Sequence, residues 1–193
     1  MQKSYVGETS GGYDFYECTS ALQKSIRRGL EEDAMFWAIE IESRFHDYLW
    51  KRLQIISIED IGLGDPQVVL YVAEMRKLYQ ELRKDFEKRG ARSIRMVLAN
   101  AILAMSRADK SRIGDEFQIV MYGRHEAGVK LPIPDFAFDQ HTKRGREIGR
   151  GPEHFWTDGV KVHPQSTLAN PYHDEAVEIR SKKNREPQQE SLL

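Results

Sequence analysis

The sequence predicts an all-α protein, a bundle of about six to seven helices followed by an extended polar C-terminal tail. Apolar residues recur at three- and four-residue spacing in segment after segment. Those segments are separated by glycines and an Asp-Pro step rather than by hairpin signals, and no stretch alternates apolar and polar residues as a half-buried strand does. With 193 residues, 40% of them hydrophobic and 31% charged, the chain can bury a core without disulfide staples and still cover its outside with charge.

Residues 1–12 are small and polar, end in Ser10-Gly11-Gly12, and read as a flexible leader. Asp14 with Glu17 three residues on has the spacing of a capped helix start. A first helix is expected from there to about Arg28, with Leu22 and Ile26 on one face and Gly29 as its stop. A second starts near Glu32-Asp33 and carries Ala34, Trp37, Ala38, Ile41 and Phe45 inward. Residues 46–61 form a third, apolar on most sides through Tyr48, Leu49, Leu53, Ile55, Ile56 and Ile58, which places it in the middle of the bundle. Gly62 and Gly64 end it. Asp65-Pro66 opens the fourth as cap and first turn, with Val68, Val72, Met75, Tyr79, Leu82 and Phe86 inward, Glu74, Lys77, Glu81, Arg83 and Lys84 outward, and Gly90 as terminator. Residues 91–107 and 111–127 form the fifth and sixth, the latter ending at Gly128.

The composition then shifts. Leu131-Pro132-Ile133-Pro134 is an extended connector, a short helix is expected from Asp135 to about Ile148, and beyond Val162 the chain is polar and punctuated by proline. The expected organisation is thus a leader (1–12), a helical domain (13–128), a basic Gly- and Pro-containing extension packed on it (129–162), and a polar, largely disordered tail (163–193).

Lys and Arg total 29 against 30 Asp and Glu, so any polyanion contact must come from a local patch. The single cysteine, Cys18, can form no intramolecular disulfide and suits a reducing cytoplasm; it reads as a buried thiol, with a nucleophile as the alternative. There is no secretory signal and no apolar run of bilayer length, so a soluble, cytoplasmic protein is expected. The dipeptide Gly-Lys does not occur, which excludes a P-loop ATPase in this sequence.

The segment 143–151 packs Lys143, Arg144, Arg146 and Arg150 among Gly145, Gly149 and Gly151. Glycine lets backbone amides approach a phosphate and arginine can clamp it, so a DNA or phosphate contact is one reading; a solvated, locally paired surface is the other. A second cationic group, Arg83, Lys84, Lys88, Arg89, Arg92 and Arg95, is interleaved with Asp85 and Glu87 and reads as surface. None of His46, His125, His141, His154, His163 and His173 lies three or four residues from another, and His46-Asp47 lacks the earlier histidine that metal phosphohydrolases need, so no metal site is expected. Adjacent Glu59-Asp60 could be catalytic, but neighbours on a helix diverge by about 100°. Pairing of one with Arg52 or Arg27, the other fixing the turn before Asp65-Pro66, is preferred. Trp37, Trp50, Tyr48 and Phe36 read as core or interface. An enzymatic alternative, a small metal-dependent phosphohydrolase, would use Asp135, Asp139 and His141 near the basic loop; an N-cap at Asp135 and an Asp139–Lys143 pair would explain the same residues.

Three stretches resemble a known family. Tyr13-Asp14 with Ser20-Ala21-Leu22-Gln23-Lys24-Ser25-Ile26-Arg27 is similar to the opening of the C-terminal region of the MgsA / replication-associated recombination protein A family. These are bacterial clamp-loader-like AAA+ ATPases related to the eukaryotic Werner-helicase-interacting ATPases. Asp33-Ala34-Met35-Phe36-Trp37 resembles the family's next helix. Arg52-Leu53-Gln54-Ile55-Ile56-Ser57-Ile58-Glu59-Asp60-Ile61-Gly62-Leu63-Gly64-Asp65-Pro66-Gln67 resembles its R-L-x-I-x-A-S-E-D-I-G-x-A-D-P signature, and residues 99–111, with Lys110-Ser111, a further block. The likeness covers residues 13–125 well and 126–160 loosely.

The resemblance implies a clamp-loader collar-like helical domain that self-associates, as a homotetramer, beside a AAA+ ATPase or other replication protein in DNA replication, repair and recombination. It implies no catalytic residue, cofactor or membrane contact. Arg52, Glu59, Asp60, Gly62, Asp65 and Pro66 would be its structural motif. Because the motifs begin close behind Met1, ATP hydrolysis is assigned to a partner or another domain. DNA, where bound, is expected at Lys143, Arg144, Arg146 and Arg150.

Overall fold

The computed structural model describes residues 7–84 and 91–183. Among these the chain forms α1 (Phe15–Arg27), α2 (Glu31–Ile56), a π-turn (Ser57–Ile61), a 3-10 turn (Gly62–Gly64), α3 (Pro66–Lys84), α4 (Ala91–Arg107) and α5 (Ile113–Glu126). After a 3-10 turn at Asp135–Ala137 come α6 (Lys143–Glu147), α7 (Pro152–His154), a second π-turn (Phe155–Gly159) and α8 (His173–Lys183). The described residues contain no sheet, only an isolated bridge between Glu8 and Asp14, so the all-α prediction holds. Contacts divide the chain into two units, Met1–Val129 and Lys130–Leu193.

The first unit is a bundle whose caps follow the local sequence. Asp14 Oδ1 accepts from the amides of Tyr16 (2.8 Å) and Glu17 (2.9 Å), filling donors that a helix start leaves open. At the far end Gly29, at φ 72°, lets Leu30 N–H return to the carbonyl of Ser25 at 2.9 Å. Asp65 Oδ1 caps Val68 N–H at 3.2 Å in front of Pro66, and Gly128, at φ 77°, follows α5. The core is built from Phe15, Cys18, Leu22 and Ile26 of α1, Ala34, Ala38, Ile41, Leu49, Trp50, Leu53 and Ile56 of α2, Val72 and Tyr79 of α3, and Ile94 to Met105 of α4. Val68, Met75 and Leu82 pack against it half-buried. Burial pushes the Cys18 thiol above its ordinary range, as expected of an inert packed cysteine.

Four expectations are corrected. Residues 7–12, expected as a flexible leader, are held on α2: Gly11 N–H donates to Glu40 Oε2 (3.0 Å), Arg44 donates to the Glu8 carbonyl (2.8 Å), and Thr9 is buried. The expected second and third helices both form and meet without a loop at a kink in α2, where Phe45, at their expected junction, has non-helical φ −131° and ψ 41°. The expected third helix is not enclosed on every side: Leu49, Trp50, Leu53 and Ile56 are buried, but Ile55 is 48% exposed and Ile58, in the π-turn, 64%. The helix expected over 135–148 is a 3-10 turn, a loop and the short α6, since Phe138 is extended and Thr142 recaps the chain. Part of the expected disordered tail is α8. Residues 1–6, the end of the fourth helix with Phe86, the cations Lys88 and Arg89, the turn at Gly90 and the tail from 184 onward lie outside the described residues.

Gly64 sits where a Cβ would come 2.5 Å from the backbone oxygen of Asp109, whereas Gly123 in α5 has nothing within 4 Å. Gly64→Ala is expected to cost about 2 kcal/mol or more in urea unfolding. Gly123→Ala should be neutral or stabilising by up to about 1 kcal/mol. Equal effects at both positions would remove the steric account of the turn.

Candidate functional site

The signature stretch folds around one carboxylate. Past Ile56 the α-helical spacing widens into the π-turn Ser57–Ile61, which Gly62 ends with φ 47° and ψ −119°, a conformation that side chains rarely adopt. The turn sends Asp60 inward, where it is 0% exposed, and leaves Glu59 at the rim. Arg27 reaches over from α1. Its Nε donates to Asp60 Oδ1 at 2.6 Å, and its Nη2 to Asp60 Oδ2 at 3.3 Å and Glu59 Oε1 at 3.4 Å. Gln23 Nε2 donates to Asp60 Oδ2 at 2.9 Å, and Gln23 Oε1 accepts from Arg52. The Asp60 backbone oxygen accepts Ser111 N–H at 3.0 Å.

So Arg27 binds both carboxylates, while among the described residues Arg52 donates to the glutamine. Glu59 does not fix the turn before Asp65-Pro66; it lies 4.0 Å from Arg112, which pairs with Asp115. Asp60, filled on both oxygens by guanidinium and amide donors, forms a brace rather than an open site for proton transfer, with Glu59 holding the same arginine at the rim. Lys110 completes it: its Nζ donates to the carbonyls of Met105 (2.9 Å), Ser106 (3.1 Å) and Ala108 (2.6 Å) at the end of α4, and burial pushes its ammonium below its ordinary range. Gln23 was missed in the sequence, though a polar residue between Leu22 and Ile26 on the buried face of α1 was a readable signal.

The basic segment lies in the second unit, and its donors are largely used within it. Gly145 is packed so closely that a Cβ would overlap the Asp139 carbonyl. The amides of Gly145, Arg146, Ile148, Gly149 and Arg150 all donate within 142–150. Arg150 binds the Asp135 carboxylate and donates to the carbonyls of Asp135 and Phe138; Arg146 donates to the His141 carbonyl at 2.9 Å. Arg144 lies 4.3 Å from the Phe138 ring centroid, and exposed Lys143 is 3.9 Å from Glu147. The glycines thus serve close packing and a tight turn, and the cations least engaged are Lys143 and Arg144. The carboxylates of the enzymatic alternative are spoken for as well: Asp135 by Arg150, and Asp139 by the His141 amide at 3.0 Å. Among the described residues, no three His, Cys, Asp or Glu side chains gather where they could hold a metal.

Two apolar surfaces remain on the first unit. A groove of about 540 Å³ between α2 and α3 is lined by Ile55, Ile58, Val69, Leu70 and Ala73, with Lys51 at its side. Helix α5 buries none of its residues, although Ile113, Phe117, Ile119, Val120, Met121 and Tyr122 are among them. No helix of the described residues is long and apolar enough to cross a membrane.

Residues 31–190 match the family described as MgsA AAA+ ATPase C terminal. The chain is 30% identical over 152 residues to the replication-associated recombination protein A of Bacillus subtilis, covering 78% of this chain and 34% of that protein. It is 28% identical over 169 residues to the protein of that name from Haemophilus influenzae (80% and 34%) and 27% over 157 residues to that of Escherichia coli K12 (77% and 33%). The chain therefore spans about a third of the length of the relatives it matches.

Asp60→Ala would leave Arg27 and Gln23 facing an empty site, and a loss of about 3–5 kcal/mol in urea unfolding is expected. Glu59→Ala, at the rim, should cost under about 1 kcal/mol. Similar costs would mean that Asp60 is not the centre of the brace. In the second unit, Arg150→Ala should speed amide exchange at Ala137 and Phe138; unchanged exchange would free Arg150 for another role.

Proposed function

The chain belongs to the MgsA AAA+ ATPase C-terminal family, and from that premise we propose that it is the non-catalytic oligomerisation module of a replication- and recombination-associated AAA+ ATPase system. The observation that carries this reading is α5. Its six large apolar side chains are between 39% and 67% exposed, and by helical spacing Ile113, Phe117, Val120 and Met121 share one side, an apolar stripe of the kind that ordinarily marks an interface. A second copy of the chain is its partner, in a closed homotetramer whose symmetric repetition buries the α5 faces together. The buried brace at Asp60 supports the reading, because it gives the helices a rigid common frame and offers no chemistry of its own. ATP hydrolysis belongs to the ATPase portion of the system.

DNA is a second partner. Lys143 and Arg144, the least engaged cations of the basic segment, supply backbone contacts, with Arg146 and Arg150 holding the loop that presents them. A cytoplasmic setting goes with this role and with the buried free thiol of Cys18.

Light scattering at micromolar concentration should return the mass of a tetramer. The double substitution Phe117→Glu with Met121→Glu, one turn apart, should lower that mass with no loss of helix by circular dichroism, because both side chains are exposed. A monomeric parent, or an assembly indifferent to the charges, would reject α5 as the interface. Lys143→Ala with Arg144→Ala should weaken DNA binding and flatten its salt dependence by about 1–2 in logarithmic slope.

A further inference from the structure

The cleft between α1 and the second half of α2 has no part in the reading above. It has a volume of about 290 Å³, at the small end for a ligand site, and holds Tyr16, Ser20, Lys24 and Arg27 on one face of α1 opposite Tyr48 and Arg52 of α2. Two of the stretches that carry the family resemblance, around residues 20–27 and at Arg52, meet here.

Its charge is unbalanced. No carboxylate lines the cleft. Arg27 is neutralised from behind by Asp60 and Glu59. Among the described residues Lys24 and Arg52 have neutral partners alone, Ser20 Oγ at 2.9 Å and Gln23 Oε1. The hydroxyls of Tyr16 and Tyr48 make no hydrogen bond among the described residues, and these two residues, their rings edge-on to Phe15 at 5.4 and 4.8 Å, are 46% and 37% exposed. Two cations without a carboxylate partner, with the hydroxyls of Tyr16, Ser20 and Tyr48 beside them, are more than the two oxygens of a carboxylate would use. They match a terminal phosphate, which carries up to two charges and several acceptor oxygens. Exposed tyrosine rings beside such a site suit a stacked base.

We propose that this cleft binds the terminal phosphate of a nucleotide, with Lys24 and Arg52 as its charged ligands and Tyr16 and Tyr48 at the base. The nucleotide is either free or the end of a DNA strand. The proposal rests on the reading above only in expecting nucleic acid nearby, and it assigns strand ends to a place separate from Lys143 and Arg144.

The test is fluorescence anisotropy of the full chain with short single-stranded oligothymidylate, labelled at its 3′ end and carrying either a 5′ phosphate or a 5′ hydroxyl, with thymidine monophosphate and thymidine as competitors. The phosphorylated strand should bind about tenfold tighter, the value of one good charge-assisted contact. Lys24→Gln, at an exposed position, should bring the ratio close to one, as should Arg52→Gln if it folds; Tyr48→Phe should reduce it. Displacement by thymidine monophosphate, but not thymidine, would identify a free nucleotide as the ligand, and displacement by phosphorylated strands alone would identify a strand end. Lys143→Ala with Arg144→Ala should weaken both oligonucleotides together and leave their ratio. Equal binding of the two strands, no binding of strand or monophosphate, or a ratio untouched by Lys24→Gln would overturn the proposal. Light scattering on the same samples reports self-association separately, so either idea can fail alone.

Discussion

A carboxylate with no exposed surface dictates how the first unit is put together. Asp60 could not be withdrawn from water unaccompanied, since a lone buried charge costs several kcal/mol even after relaxation. Its side-chain partners, Arg27 and Gln23, come from α1, and its backbone oxygen takes the amide of Ser111, which stands between α4 and α5. Three separate parts of the chain must therefore arrive in register before the charge is satisfied. Removing one member of such a centre leaves the others buried without a partner, which ties the three parts to one arrangement. The close approach of Gly64 to Asp109 and the cap that Lys110 places on α4 tighten the same junction from its other side.

Much of the fold was legible because its instructions are local. Asp14 and Gly29 delimit α1, Asp65-Pro66 opens α3, and the three-four spacing of Leu22, Ile26, Val72 and Tyr79 names core positions directly. The junction expected between two helices is present as the kink at Phe45. Periodicity tells which residues share a face but not whether that face is covered, so Ile55 and Ile58 were assigned to the interior and lie outside it. The Arg27–Asp60 pair spans 33 residues, and only the suggestion that one of two arginines would answer the acidic pair could be made from sequence.

The basic segment shows a different limit. Arginines interspersed with glycines can cradle a phosphate or lace up a loop, because the same amides and guanidiniums satisfy either kind of acceptor. Composition cannot choose between these. The choice depends on whether nearby carbonyls would otherwise go without donors, and here those of Asp135, Phe138 and His141 take Arg150 and Arg146. Conversely, the cations with uncommitted charge, Lys24 and Arg52, are scattered in sequence and adjacent only once α1 and α2 pack.

The altered backbone at Phe45 has a geometric consequence of its own. Ala34, Ala38 and Ile41 define one buried meridian of α2, and Leu49, Trp50, Leu53 and Ile56 define another. On an unbroken helix advancing 100° per residue, the second meridian would be rotated roughly 80° from the first. A straight rod could turn only one of them squarely toward its neighbours. The irregular residue falls in the interval between the two, where the angular mismatch can be absorbed, so two helical segments joined at a kink serve differently aimed sets of contacts without an intervening loop.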